Sequence, residues 1–200
     1  MSTACIHVVD DDEAIRDALV WLLQSRALPV QTHDSGECFL ARWTPALAGC
    51  VVMDMRMSGM TGFDCFEQLL ARGSTLPVIF LTGHGDVPLA VATLKKGAFD
   101  FFEKPFDDAA LITRIEEALA ADARRRAAEA SVDSVRSRLA SLTARERQIM
   151  DLVLAGKFNK VIADELKISM RTVEVHRANL FDKMQVKTAV ELANLLKRGD

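Results

Sequence analysis

Four times along the first half of the chain a short apolar run ends on a residue with chemistry. Residues 6–9 (IHVV) run into Asp10-Asp11-Asp12, 50–53 (CVVM) into Asp54, 77–81 (PVIFL) into Thr82, and 98–102 (AFDFF) into Glu103-Lys104-Pro105. Runs of this length, bounded by polar turns, are predicted as parallel strands buried on both faces. A weaker run at 29–32 makes a fifth. Helical patterns separate the runs. Ile15, Leu19, Leu22 and Leu23 share one face, Ser35 caps a helix to about 43, 62–70 and 87–96 are helical, and Asp107 opens another. Gly97 ends the helix before it. Fivefold strand–helix alternation predicts an α/β doubly wound fold with a five-stranded parallel sheet, and the flavodoxin-like (βα)5 order fits this length. That order sets the C-terminal ends of strands one, three, four and five side by side.

One sheet edge thereby collects Asp10, Asp11, Asp54, Thr82 and Lys104. Clustered carboxylates repel one another, which favours a hard cation with oxygen ligands, Mg²⁺. Asp11 and Asp54 are expected to bind it directly, the Arg56 backbone carbonyl to be a third ligand, and Asp10 to act through water. A carboxylate beside Mg²⁺ can attack a phosphoryl group, and Lys104 and Thr82 suit the oxygens of the resulting acyl phosphate. Each acidic residue alone reads as a solvated loop carboxylate; the constellation at successive strand ends does not. Neither GxGxxG nor GxxxxGKS follows a strand, which argues against a nucleotide enzyme. Gly83 leaves room beside Thr82 for phosphate and a protein partner.

The order VVDDD, VVMDMRMSGMTG, IFLTGHG and FFEKPF resembles the receiver domain of bacterial two-component response regulators, over residues 5 to about 120. The resemblance implies that Asp54 is the phosphoacceptor, Asp10 and Asp11 the metal-binding pair, Thr82 the switch hydroxyl, Lys104 the phosphate-binding lysine and Phe101 the aromatic switch. Core packing is the plain alternative for Phe101. Strand alternation predicts Phe99 and Phe101 on one face and Phe102 on the other. A cis bond is expected at Lys104-Pro105. Ser58 stands where this subclass usually has proline, which frees the loop at 57–59 and removes no reacting group. Arg56 and His84, each two residues beyond an active residue, are expected to tune dephosphorylation.

Charge is unevenly shared. Residues 1–120 hold 9 Lys/Arg against 17 Asp/Glu and residues 121–200 hold 16 against 11, giving −8 and +5 of the total −3. Two domains with different partners follow, the basic one a candidate for nucleic acid. The chain divides as 1–120, a helical linker at 121–141 rich in Ala, Glu and Arg, and 142–200. The linker is predicted as a semi-rigid spacer that breaks at 131–137, where Ser is frequent.

From 142 the pattern is all-helical, with four helices. Thr143 to Glu146 is a capping box, Asn159 opens a short helix to 166 that buries Ile162 and Leu166, Ser169 caps a third to about 184, and Thr188 to Glu191 is a second capping box. Leu192, Leu195 and Leu196 are expected to be exposed along the last helix. Two short helices joined by a tight turn match a helix-turn-helix. In the third helix Val173, His176, Leu180 and Met184 face inward, while Arg171, Glu174, Val175 and Ala178 face out. Glu174 can accept from cytosine, and Val175 or Ala178 can meet a thymine methyl. Lys160, Arg171, Arg177 and Lys183 are candidate phosphate contacts, though each alone also reads as a surface charge.

LTARERQIMDLVLAGKFNKVIADELKISMRTVEVHRANLFDKM resembles the C-terminal DNA-binding domain of LuxR/NarL-type regulators, over 142–197, and the pairing with this receiver resembles the FixJ-like subclass. The resemblance implies base contacts by Glu174, Val175 and Ala178, and pairing through 86–102 and 188–197. The function expected is phosphorylation-dependent transcriptional regulation. A sensor histidine kinase is the donor, a two-fold double-stranded DNA operator the target, a homodimer the active form, and RNA polymerase a further partner. Two alternatives stand beside it: a constitutive DNA-binding protein with a non-switching receiver, and a Mg²⁺-dependent phosphohydrolase, which would need a general acid where Arg56 sits. No run of eighteen apolar residues occurs and the first residues lack a signal-peptide pattern, so a cytoplasmic protein without a membrane partner is expected. The four cysteines lack metal-ligand spacing and read as free thiols.

Overall fold

The computed structural model describes residues 4–83 and 87–197, with the backbone alone at Val87, Pro88 and Ala90. Two compact units divide it, Met1–Arg125 and Arg126–Asp200. In the first, strands β1 (Cys5–Val9), β2 (Val30–His33), β3 (Gly49–Asp54), β4 (Val78–Thr82) and β5 (Asp100–Glu103) form a parallel sheet of order β2-β1-β3-β4-β5. Helices α1 (Glu13–Gln24), α2 (Gly36–Arg42), α3 (Gly62–Ala71), α4 (Val87–Lys95) and α5 (Asp108–Ala140) connect and follow the strands.

The period-two alternation of β3 sorts the core. Val51 and Met53 pack with Phe39, Phe66 and Phe80 under α2, α3 and α4. Cys50 and Val52 pack with Leu19, Leu23, Leu111 and Ile115 under α1 and α5. All six residues of β3 are buried, as a central parallel strand requires. The strand is glycine-dependent at its start: Gly49 has φ +127°, and a Cβ there would lie 1.9 Å from the Cys5 carbonyl oxygen. Burial pushes the Cys50 and Cys65 thiols up to about 12, so both are inert packing groups.

The start of β5 differs from the sequence expectation. Phe99 lies with Phe102 on the α1/α5 side, and Phe101 lies on the other. Alternation sets in only at Asp100; Phe99 precedes the strand and is held by its N–H to the Val78 carbonyl at 2.8 Å. The Lys104-Pro105 bond is cis. α5 also differs, because no break occurs at 131–137. Serine inside an exposed helix costs under about 0.7 kcal/mol relative to alanine, and Arg136 sits 3.7 Å from Asp133 one turn away.

The division between the units falls inside α5. Its Leu111, Ile115 and Ala118 belong to the first core, and Asp122 is buried there, accepting the Gly49 N–H at 2.9 Å and pairing with Arg125. Its last turn belongs to the second unit, with Leu139 against that core and Arg138 donating to the Met184 carbonyl.

The second unit contains α6 (Ala144–Leu154), α7 (Asn159–Leu166), α8 (Met170–Met184) and α9 (Ala189–Leu196). Ile149, Ile162, Val173, Leu180, Met184 and Leu192 are fully buried together. At α6 the capping box is complete, since Thr143 and Glu146 exchange side-chain bonds with each other's backbone N–H. α9 has half of one. Thr188 accepts the Glu191 N–H, but Glu191 reaches back to the Lys187 N–H. Its leucines are not exposed as expected: Leu192 is in the core, Leu195 and Leu196 pack against it, and Val190 is the apolar residue left to solvent. α7 is capped by Phe158 without a side-chain bond, because the Asn159 side chain is the first inside the helix and serves Arg177 instead.

Candidate functional site

The three aspartates after β1 have three different tasks. Asp10 is almost fully buried, with Oδ1 accepting the Asp12 N–H at 2.9 Å and Oδ2 facing Lys104 Nζ at 3.0 Å. Asp11 accepts the Ser58 N–H at 2.7 Å. Asp12 caps α1 through the Ala14 N–H. Across the sheet edge, Asp54 ends β3 and stands 2.5 Å from Lys104 Nζ through Oδ1, while Oδ2 accepts the Arg56 N–H at 2.8 Å. Gly62 lets this happen at close quarters: a Cβ there would come within 2.1 Å of the Asp54 carbonyl oxygen. Asp10, Asp11, Asp54 and Lys104, from the ends of three strands, are thus brought to one edge, as strand-end placement predicts.

The electrostatics are poised rather than settled. Burial holds the Asp54 carboxyl above the usual range; the Lys104 hydrogen bond and charge and the Arg56 N–H pull it down without overcoming burial, and Asp10 raises it further. Burial pulls Lys104 down, but Asp54 and Asp10 override it and raise the ammonium above its ordinary value. Of the two, Asp54 is the one whose burial its partners leave uncompensated. The Ser58 N–H and hydroxyl hold Asp11 below the usual carboxylate range.

These residues fit a hard divalent cation by donor chemistry: three carboxylates and a backbone carbonyl, all oxygen, against one ammonium. They do not form a ready cage. Among the described residues no three acidic, histidine or cysteine side chains converge on a common point, and Lys104 stands between Asp54 and Asp10.

Thr82 is fully buried, and its hydroxyl donates to the Phe102 carbonyl at 3.4 Å. Phe101 is half-buried on β5, where it pairs in register with Phe80, two residues before Thr82. Arg56 is exposed; His84 lies outside the described residues. Ser58 corrects an expectation. The loop is not freed there, because the N–H that proline would lack ties it to Asp11. Sequence reasoning also missed Arg16, whose Nη1 donates to the Asp10 carbonyl at 2.7 Å; no motif marks it.

In the second unit, Arg171, Glu174, Val175 and Ala178 form an exposed face of α8, and Lys160 is exposed on α7. His176 is half-buried. Two of the candidate cations are engaged inside the bundle. Arg177 donates to Asn159 at 2.7 Å and lies over the Phe181 ring. Lys183 pairs at 2.7 Å with Glu146, which is 3% exposed. A phosphate contact by Lys183 would leave that carboxylate unpaired.

The response regulator receiver domain matches residues 6–116, and the luxR family of bacterial regulatory proteins matches residues 140–196. The transcriptional regulatory protein FixJ of Azorhizobium caulinodans is 46% identical over 95% of this chain and 90% of its own. The C4-dicarboxylate transport transcriptional regulatory protein DctR of Rhodobacter capsulatus is 47% identical over 95% and 98%. Among solved structures, the response regulator StyR superposes with a TM-score of 0.93 at 41% identity, covering 98% of this chain and all of that one. Full-length FixJ from B. japonicum gives 0.61 at 44% identity, covering 100% and 98%.

Proposed function

The chain is a response regulator of the FixJ type, a receiver followed by a LuxR-type DNA-binding domain, and from that premise we propose that Asp54 is its phosphoacceptor. Its function is phosphorylation-linked DNA-binding regulation, and the receiver is a phosphotransfer and autodephosphorylation module rather than a free-standing enzyme. The observation that carries the assignment of Asp54 is the 2.5 Å pair with Lys104 at the mouth of the sheet, where burial leaves the carboxylate in need of a further partner.

In this reading a phosphohistidine of a sensor histidine kinase is the donor. One Asp54 oxygen attacks phosphorus, the P–N bond to the histidine breaks, and the leaving imidazole takes the electron pair. Asp11, Asp54 and the Arg56 carbonyl, with Asp10 through water, would hold Mg²⁺, and the bound ion would offset charge on the phosphoryl oxygens. Lys104 moves from carboxylate to phosphoryl oxygen, which frees Asp10. Thr82 gives up its bond to the Phe102 carbonyl and donates to the phosphoryl group. That release reaches β5 beside Phe101, which packs inward as the aromatic switch. Arg56 and His84, each two residues beyond an active residue in the sequence, are the proposed tuners of the acyl phosphate's lifetime.

The receiver then pairs through 86–102, and α9 adds a second contact on DNA. Two α8 faces meet the halves of a two-fold operator, with Glu174, Val175 and Ala178 at base edges and Lys160 and Arg171 at phosphates. A linked second half-site raises affinity through effective concentration. RNA polymerase is the further partner of the bound dimer. Among the described residues no helix is long and apolar enough to cross a membrane, and the cytoplasm is the proposed location.

The test is phosphorylation by acetyl phosphate with Mg²⁺, read by intact mass. One added phosphoryl group in wild type and none in Asp54→Asn is expected. Equal incorporation by both proteins contradicts the assignment.

A further inference from the structure

We propose that Arg16 is a positioning residue of the phosphotransfer site, fixing the peptide between Asp10 and Asp11 so that both carboxylates stay at the sheet edge. The inference rests on the reading of those carboxylates as Mg²⁺ ligands. Asp10 is 1% exposed and lies just past the end of β1. Its N–H and C=O are therefore buried outside the strand and need partners. The His33 carbonyl accepts the N–H at 3.2 Å from the β2 side. Arg16 Nη1 donates to the C=O at 2.7 Å from the α1 side. The side chain is held as well, by the Asp12 N–H and by Lys104. Of these partners, Lys104 is committed to the reacting carboxylates and must move during the reaction. Arg16 is the charged partner that holds the backbone, through a charge-assisted bond.

The choice of acceptor is informative. Asp10, Asp11, Asp12 and Glu13 lie within six residues of Arg16, and a guanidinium present only to offset charge would pair with a carboxylate. It bonds instead to the peptide that joins the two ligand residues. The arrangement makes two effects of opposite sign separable. As a nearby cation, Arg16 repels a second cation, so removing the charge alone would tighten Mg²⁺ binding. As a positioning group, its removal lets the Asp10–Asp11 peptide turn away and loosens binding. Partners in the second shell of a metal site affect affinity by about 10–100-fold.

The experiment uses the full-length chain without phosphodonor. Mg²⁺ is titrated calorimetrically into wild type, Arg16→Ala, Arg16→Lys and Asp11→Asn, and amide exchange at Asp12, whose N–H reports the turn, is measured in the metal-free proteins. Expected are about tenfold weaker Mg²⁺ binding in Arg16→Ala, recovery toward wild type in Arg16→Lys, and faster Asp12 exchange in Arg16→Ala, with the exchange of β3 amides unchanged. Mg²⁺ binding in Arg16→Ala as tight as in wild type, or tighter, overturns the proposal, as does wild-type exchange at Asp12. If wild type itself binds no Mg²⁺, the metal reading fails, and Asp12 exchange still decides whether Arg16 holds the turn. Should Arg16→Ala not fold, Arg16→Met carries the same comparison, since it keeps the apolar stem and loses both the donor and the charge.

Discussion

Each unit of the chain holds a buried carboxylate against a lysine, and the two pairs behave differently. In the helical bundle, Glu146 accepts from Lys183 at 2.7 Å and from the Thr143 N–H at 2.8 Å. Burial raises its carboxyl, but Lys183 and Thr143 win, and Glu146 sits below its ordinary value. In the receiver, Asp54 has Lys104 and the Arg56 N–H, yet burial wins and the carboxyl sits above its ordinary value. The lysine–carboxylate motif is the same. A pair whose anion is fully satisfied is architecture, and a pair whose anion is under-satisfied is a site waiting for a cation or a covalent partner.

The largest effect that sharpens this contrast is replacement of each lysine. Lys183→Met strands Glu146 and is expected to lower the stability of the bundle by about 2 kcal/mol, the worth of a hydrogen bond to a charged group, with phosphoryl uptake at Asp54 unchanged. Lys104→Met is expected to raise the Asp54 carboxyl further and to abolish the phosphorylation-dependent response while the sheet stays folded. Chemical denaturation and intact mass read both. Loss of phosphoryl uptake in Lys183→Met would erase the distinction.

A comparable effect belongs to the DNA face. Glu174→Ala is expected to cost about 1–3 kcal/mol of discrimination at one base pair of each half-site, whereas Lys160→Ala should weaken binding to all sequences alike and flatten its salt dependence. Binding assays on half-site variants at several salt concentrations separate the two. A uniform loss in Glu174→Ala would place Glu174 outside base reading.

The smallest effect is acid stability, and it too separates the units. His7 and His33 are both buried in the receiver, with Nδ1 of one 3.2 Å from Nε2 of the other and Phe39 against both rings. Burial, then the charges of His7 and Arg42, pull His33 down to about 4, against a smaller opposing effect from Asp34. The folded receiver thus resists a proton that the unfolded chain accepts near pH 6.5. Its stability is complete above that value and falls as pH drops toward 4, by up to about 1.4 kcal/mol per pH unit for one group. Glu146 has the depressed value of a paired carboxylate, so its contribution is lost only below the ordinary glutamate range. Acid should therefore unfold the receiver first. Both tryptophans, Trp21 and Trp43, lie in that unit, so fluorescence should report a transition at higher pH than the loss of total helicity. Coincident transitions would contradict the assignment.

Much of this was legible in the chain itself, for physical reasons that also mark the limits. Apolar runs ending on Asp10, Asp54, Thr82 and Lys104 were readable because a strand's end fixes where the next residue emerges, and the sheet order then gathers those ends. The start of β5 was not, since a period of two carries no mark of its first residue, and Phe99 fell on the other face. The serines at 131–137 looked like a break because propensity is local and weak. Half of the second capping box failed because Glu191 found the neighbouring N–H. The bond from Ser58 to Asp11 spans 47 residues, and Arg16 binds a backbone carbonyl; neither leaves a trace in residue type.

The most direct test of the central claim is the sedimentation mass of wild type and Asp54→Ala, each with and without beryllofluoride and Mg²⁺. The account predicts a monomer that becomes a dimer in wild type alone. No change in either protein, or a dimer in both, would contradict a phosphoacceptor that switches receiver pairing.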